Sequence, residues 1–151
     1  MECFPVVEFR AVESRTLPIR LQDGEKLVIR VWRWDADRLV KDAEDDYEIE
    51  SALNGVPPPY FSVSVFALAR SDGETQDELV DRLRLHAAEH RSFKWYCLVT
   101  ESELSDQHFE LILHEPPDDH YDIALGRESL DRDRVEQLAV LFGDEKIRMR
   151  T

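Results

Sequence analysis

Nine consecutive residues hold the densest set of groups able to bind a metal or move a proton: His114-Glu115-Pro116-Pro117-Asp118-Asp119-His120-Tyr121-Asp122. The two prolines stiffen a connection between two apolar runs that read as strands, 108–114 and 120–125. Within the second run His120 and Asp122 stand two residues apart, so they share a face. His114 ends the first run. If the two strands pair, His114, His120 and Asp122 converge, with Asp118 or Asp119 added from the loop. Imidazole plus carboxylate suits Zn²⁺, Mn²⁺ or Fe²⁺, and an ion so held activates water for hydrolysis. The plainer reading of the same residues is a polar hairpin tip whose histidines balance nearby acid.

Two further groups carry chemistry. His86 and His90 form an i, i+4 pair on an expected helix, a spacing that can chelate from one face; Glu89 is not on that face, so the pair has no third ligand. Trp32 and Trp34 stand two apart in the run Leu-Val-Ile-Arg-Val-Trp-Arg-Trp (27–34) and are expected to project on one side together with Arg30. Tryptophan and arginine are enriched among interface hot spots, although indoles also line cores. The acidic residues that follow, Asp45, Asp46 and Glu48, would rim such an anchor, and Asp118 and Asp119 offer a second acidic rim.

Charge gives these residues a context. The 151 residues include 33 acidic and 19 basic side chains, a net charge of −14. Residues 35–50 carry 8 acidic and 2 basic groups, and residues 101–122 carry 8 acidic and none basic. These two segments account for the whole net charge. Such a map repels phosphate and excludes nucleic acid as the expected partner, because no basic patch is concentrated elsewhere. A pair of solvated surface segments would satisfy it; so would a surface that steers a basic protein.

Several classes fall away. The longest uncharged stretch that could pass for a membrane segment, Val56–Ala69, contains three prolines and is shorter than the ~20 apolar residues of a spanning helix. The start, Met1-Glu2-Cys3-Phe4-Pro5, has no basic or apolar leader, which favours a cytoplasmic location. Cys3 and Cys97 show no CxxC spacing, and Cys97 reads as a small buried hydrophobe. Five scattered glycines exclude the common phosphate-binding loops, and no HExxH, GxSxG or cysteine–histidine zinc pattern occurs. No cofactor is expected.

The elements that must position these residues follow from periodicity. Strands are expected at 4–13, 16–22, 26–34, 60–70, 93–99, 108–114, 120–125 and 146–150, with Asp23-Gly24 as a turn. Asp35 can cap a helix running to Asn54-Gly55, ahead of the stiff Pro57-Pro58-Pro59. Thr75 with Glu78 and Thr100 with Glu103 form capping boxes for helices at about 76–90 and 101–106, and a last helix is expected at about 131–142. A meander followed by irregularly mixed strands and helices predicts an α+β fold: a largely antiparallel mixed sheet of about 6–8 strands, with 3–4 helices mainly on one face. Residues 1–151 are expected to form a single domain, with 42–59 as a hinge or docking segment.

Together these features favour a small acidic binding or regulatory protein over an enzyme, in an antitoxin-, immunity- or inhibitor-like role or as an accessory domain of a larger assembly. It would engage a basic protein through 35–50 and 101–122, using Trp32, Trp34, Asp45, Asp46, Glu48, Asp118 and Asp119. Homo-oligomerisation is compatible with the same surfaces. The competing expectation is a metal-dependent hydrolase built on His114, His120 and Asp122 with Asp118 or Asp119.

Overall fold

A computed structural model of the protein describes residues 21–31, 33–114, 119–143 and 147–148. The expected strand 4–13, most of 16–22, and the candidate residues Trp32 and Asp118 lie outside the described residues. The chain runs β1 (Lys26–Val31), α1 (Ala36–Asn54), β2 (Ser62–Ala69), α2 (Gln76–His90), β3 (Trp95–Thr100), α3 (Glu101–Asp106), β4 (Leu111–Leu113), β5 (His120–Ala124), α4 (Arg132–Phe142) and β6 (Ile147–Arg148). All strands join one sheet in the order β4-β5-β2-β1-β3-β6, and every pairing is antiparallel. The fold is therefore α+β. Five strands have three or more residues and β6 has only two, so the sheet falls short of the expected six to eight full strands among the described residues.

The local signals act where the sequence places them. Thr75 and Thr100 each accept a hydrogen bond from the backbone N–H three residues on, at 3.1 Å, while Glu78 and Glu103 return the bond to the threonine N–H at 2.8 and 2.9 Å. The first turn of each helix thus has partners for its otherwise unpaired donors. Asp35 caps α1 by accepting from Arg38 N at 3.2 Å, and Gly55, at φ +74°, ends it in a left-handed conformation that residues with a Cβ rarely adopt. The proposed hinge 42–59 is helical as far as Asn54.

The sheet is covered on both faces, by three of the four helices on one and by α2 alone on the other. Val28, Val63, Val65, Ala67, Cys97 and Ile123 face α1, α3 and α4. Leu27, Ile29, Phe66, Leu68 and Leu98 face α2, whose Leu79, Val80, Leu83 and Ala87 are buried against them. The physical sign is in β1 and β3, whose apolar runs do not alternate with polar residues as a strand with one wet face would. Cys97 is buried at 1% exposure, as its position between apolar neighbours suggested.

One helix packs sparingly. Of the 19 residues of α1 only Leu39 and Ala43 are buried, against four of 15 in α2 and three of 11 in α4. An amphipathic helix normally buries three or four residues in every two turns. Much of the C-terminal half of α1 is accordingly left uncovered by the fold.

Candidate functional site

β1 and β2 pair from Lys26↔Ala69 to Ile29↔Phe66, and no pairing between them continues past that point. Where they part, Arg30 takes over. Its Nη1 donates to the carbonyl of Ser64 at 2.8 Å, its Nε donates to the carbonyl of Arg33 at 3.0 Å, and its Nη2 meets Asp42 Oδ2 on α1 at 2.6 Å. The Arg30 side chain is 5% exposed. Burial pulls its pKa down and the Asp42 carboxylate pushes it back, which keeps the buried charge matched. Asp42 is gripped a second time by Arg38, one turn earlier on α1, at 3.1 Å.

A cavity of about 510 Å³ opens at this parting of the strands. Asp42, Asp45, Asp46 and Ile49 line it from α1. Phe66, His90 and His120 line it from the sheet and the end of α2, with Arg91 beside them. The α1 carboxylates are used unequally. Asp42 holds Arg30 and Arg38, and Asp45 meets Lys41 at 2.9 Å. Asp46 has no ion pair or hydrogen bond among the described residues. Burial, followed by the negative charge of Asp42, pushes its pKa up to about 6; Arg30 opposes this, and Asp122 and Glu50 add to it.

The sign of that shift gives a stability prediction. A carboxyl whose folded pKa is raised stabilises the fold at low pH and loses that contribution as pH rises from about 4 to about 6. Asp46→Asn is therefore expected to leave stability nearly unchanged at pH 4 and to raise it at pH 7 by about 1–2 kcal/mol, allowing for partial solvent screening. Urea unfolding at the two pH values checks this.

Histidines gather around Phe66, which lines this cavity with His90 and His120. The ring centroids of His86, His90 and His120 lie 5.7, 5.4 and 5.3 Å from that of Phe66, and His114 lies 4.9 Å from His120. His114 Nδ1 stands 3.2 Å from Asp122 Oδ2, and the hydroxyl of Tyr60 donates to the same oxygen at 3.5 Å. Burial, with His114 as the next cause, lowers the pKa of His120. Strand pairing thus brings His114, His120 and Asp122 together, as their spacing suggested. They are held by a hydrogen bond and a tilted contact between the two imidazoles, however, and no cluster of three or more His, Cys, Asp or Glu among the described residues is arranged to hold a metal ion. The His86–His90 pair is also present, at 5.1 Å between ring centroids, and His86 Nε2 lies 3.7 Å from Asp119 Oδ2.

The remaining candidates separate. Trp34 is 5% exposed and its indole N–H donates to the carbonyl of Gly143 at 2.9 Å. It is a core residue and not an exposed anchor: β1 ends at Val31, so strand alternation does not extend to it. Glu48 is exposed on α1, and Asp119 is half-buried at φ +66°. In the second acidic segment several carboxylates have structural work. Glu103 caps α3, Glu101 accepts from Lys26 N at 3.1 Å, and Asp122 is buried.

Sequence reasoning missed the Arg30–Asp42 pair and the exposed residues at the end of α1. Arg30 sits inside the apolar run of β1, a position that requires a buried counter-charge once both faces are covered. Ile49, Leu53 and Val56 are 56%, 79% and 63% exposed. Ile49 and Leu53 stand one turn apart on one helix face, and Asp45 stands one turn before Ile49. No helix among the described residues is long and apolar enough to cross a membrane. No protein-family model, no curated protein and no solved structure matches the chain.

Proposed function

We propose that the protein is a binding protein that engages a basic, amphipathic protein segment through the C-terminal half of α1. The observation that carries this reading is the exposed apolar pair Ile49 and Leu53 on α1, with Val56 exposed just past its Gly55 cap, on a helix whose other exposed residues include Glu44, Asp45 and Glu48. Its last turn has no basic residue, so the negative end of the helix dipole adds to the carboxylates instead of being neutralised. Apolar anchors inside an acidic rim suit a partner that alternates leucine-type and lysine- or arginine-type side chains. The acidic segment 35–50 supplies this surface; 101–122 contributes less, because its carboxylates are partly engaged within the fold. Trp34 takes no part, and regulation of the partner follows if docking covers the partner's own working surface.

A synthetic amphipathic helical peptide of leucine, lysine and arginine tests this, with a scrambled peptide of the same composition as control. The amphipathic peptide is expected to bind more tightly than the scrambled one, and to weaken about tenfold between 50 and 300 mM salt as exposed charges are screened. Equal binding of the two peptides would reduce the effect to undirected charge attraction and overturn the reading.

A further inference from the structure

We propose that the cavity between β1 and β2 receives one cationic side chain, arginine or lysine, of the basic partner, with its charged end at Asp46 and its aliphatic stem along Ile49; this rests on the docking reading of α1. Ile49 belongs both to the exposed apolar pair and to the cavity lining, so the pocket is continuous with the docking surface. The cavity of about 510 Å³ leaves room for a long side chain. Its acidic wall offers one carboxylate not already matched: Asp42 holds two arginines and Asp45 holds Lys41, whereas Asp46 is paired with nothing among the described residues. The opposite wall carries the ring of Phe66, whose face attracts a cation lying against it, with His90 and His120 beside it.

Asp46 faces both signs of charge. Asp42 and Glu50 on its own helix and Asp122 from β5 hold its proton on, and Arg30 from β1 draws it off. His90, Arg91 and His120 border the same cavity. With its pKa at about 6, Asp46 ionises fully only above neutral pH, and an entering cation would complete that ionisation. Binding should therefore tighten from pH 5 to pH 7. Loss of a proton from His120, whose pKa burial lowers, acts in the same direction, so the pH profile is read against Asp46→Asn, in which the Asp46 part is absent.

The probes are Nα-acetyl-arginine methylamide and its citrulline analogue, which has the same shape without the charge, titrated into the ¹⁵N-labelled protein. The arginine probe is expected to move the amide signals of 46–49 and 64–66. The citrulline analogue, and the arginine probe on Asp46→Asn, are each expected to bind about tenfold more weakly, the scale of one charge-assisted contact. A thermal melt of Asp46→Asn confirms that the variant is folded. Equal affinity for the two probes, no loss in the variant, or shifts confined to residues outside the cavity would overturn the pocket. If the amphipathic peptide still binds while the arginine probe does not, the pocket is wrong and the docking surface stands. If the probe binds at Asp46 and the peptide nowhere, the docking surface is wrong and the pocket serves a free cationic ligand.

Discussion

Asp42→Ala is expected to lower the stability of the fold by about 3–5 kcal/mol, because it takes from the buried Arg30 guanidinium the carboxylate bonded to it. Arg30 would keep only the carbonyls of Ser64 and Arg33. Neither can balance a full charge at 5% exposure. Asp42→Asn retains an acceptor at the same place and should cost less than alanine, while the double variant Arg30→Met/Asp42→Leu should recover much of the loss, since well-packed apolar residues can replace a buried ion pair at little cost. Urea midpoints at constant m-value measure all three. An alanine variant within 1 kcal/mol of the parent would mean that water reaches Arg30 and that the site is wetter than its burial indicates.

Ile49→Asp/Leu53→Asp is expected to weaken the amphipathic peptide about thirtyfold, given roughly 1.5 kcal/mol for burying each side chain and some return from added charge. The direction is the informative part. The substitutions add two negative charges to a surface that meets a basic partner. Charge attraction alone would make the variant bind more tightly. Only a contact that buries the Ile49 and Leu53 side chains makes it bind more weakly. Both residues are more than half exposed, so the melt of the variant should stay close to that of the parent.

Much of the fold was legible in the residues, for reasons that differ between elements. The capping boxes at Thr75 and Thr100 and the Asn54-Gly55 stop of α1 are local chemistry, decided within four residues. α2 and α3 accordingly start where those signals stand. The strand ends were less legible. The apolar run to Trp34 looks like strand throughout, but β1 stops at Val31 and the indole turns into the core, where the carbonyl of Gly143, 109 positions away, accepts its proton. Such a partner has no trace in the local sequence. Phe109 differs for a similar reason: it precedes β4 next to His108 at φ +64°, and it packs under the guanidinium of Arg134 at 3.8 Å.

The candidate site was legible in part. The convergence of His114, His120 and Asp122 followed from strand alternation and pairing, which are regular. Their surroundings did not follow, because Phe66 and the histidines of α2 reach them only through tertiary packing. The acidity of 35–50 was plain from composition. Which of its carboxylates are used up was not, since that depends on Arg30, Arg38 and Lys41 meeting Asp42 and Asp45 in space. The exposure of Ile49, Leu53 and Val56 was hidden for the same reason. A helix pattern shows an apolar face but not how much of it the rest of the fold covers.

The most direct measurement is a pair of binding isotherms at 50 mM salt, with the amphipathic peptide titrated into the parent protein and into Ile49→Asp/Leu53→Asp. Docking on α1 predicts saturable binding to the parent and a clear loss in the more acidic variant. Equal or tighter binding by the variant would contradict it, and would leave the acidic face of α1 as a solvated surface with no apolar contact to a partner.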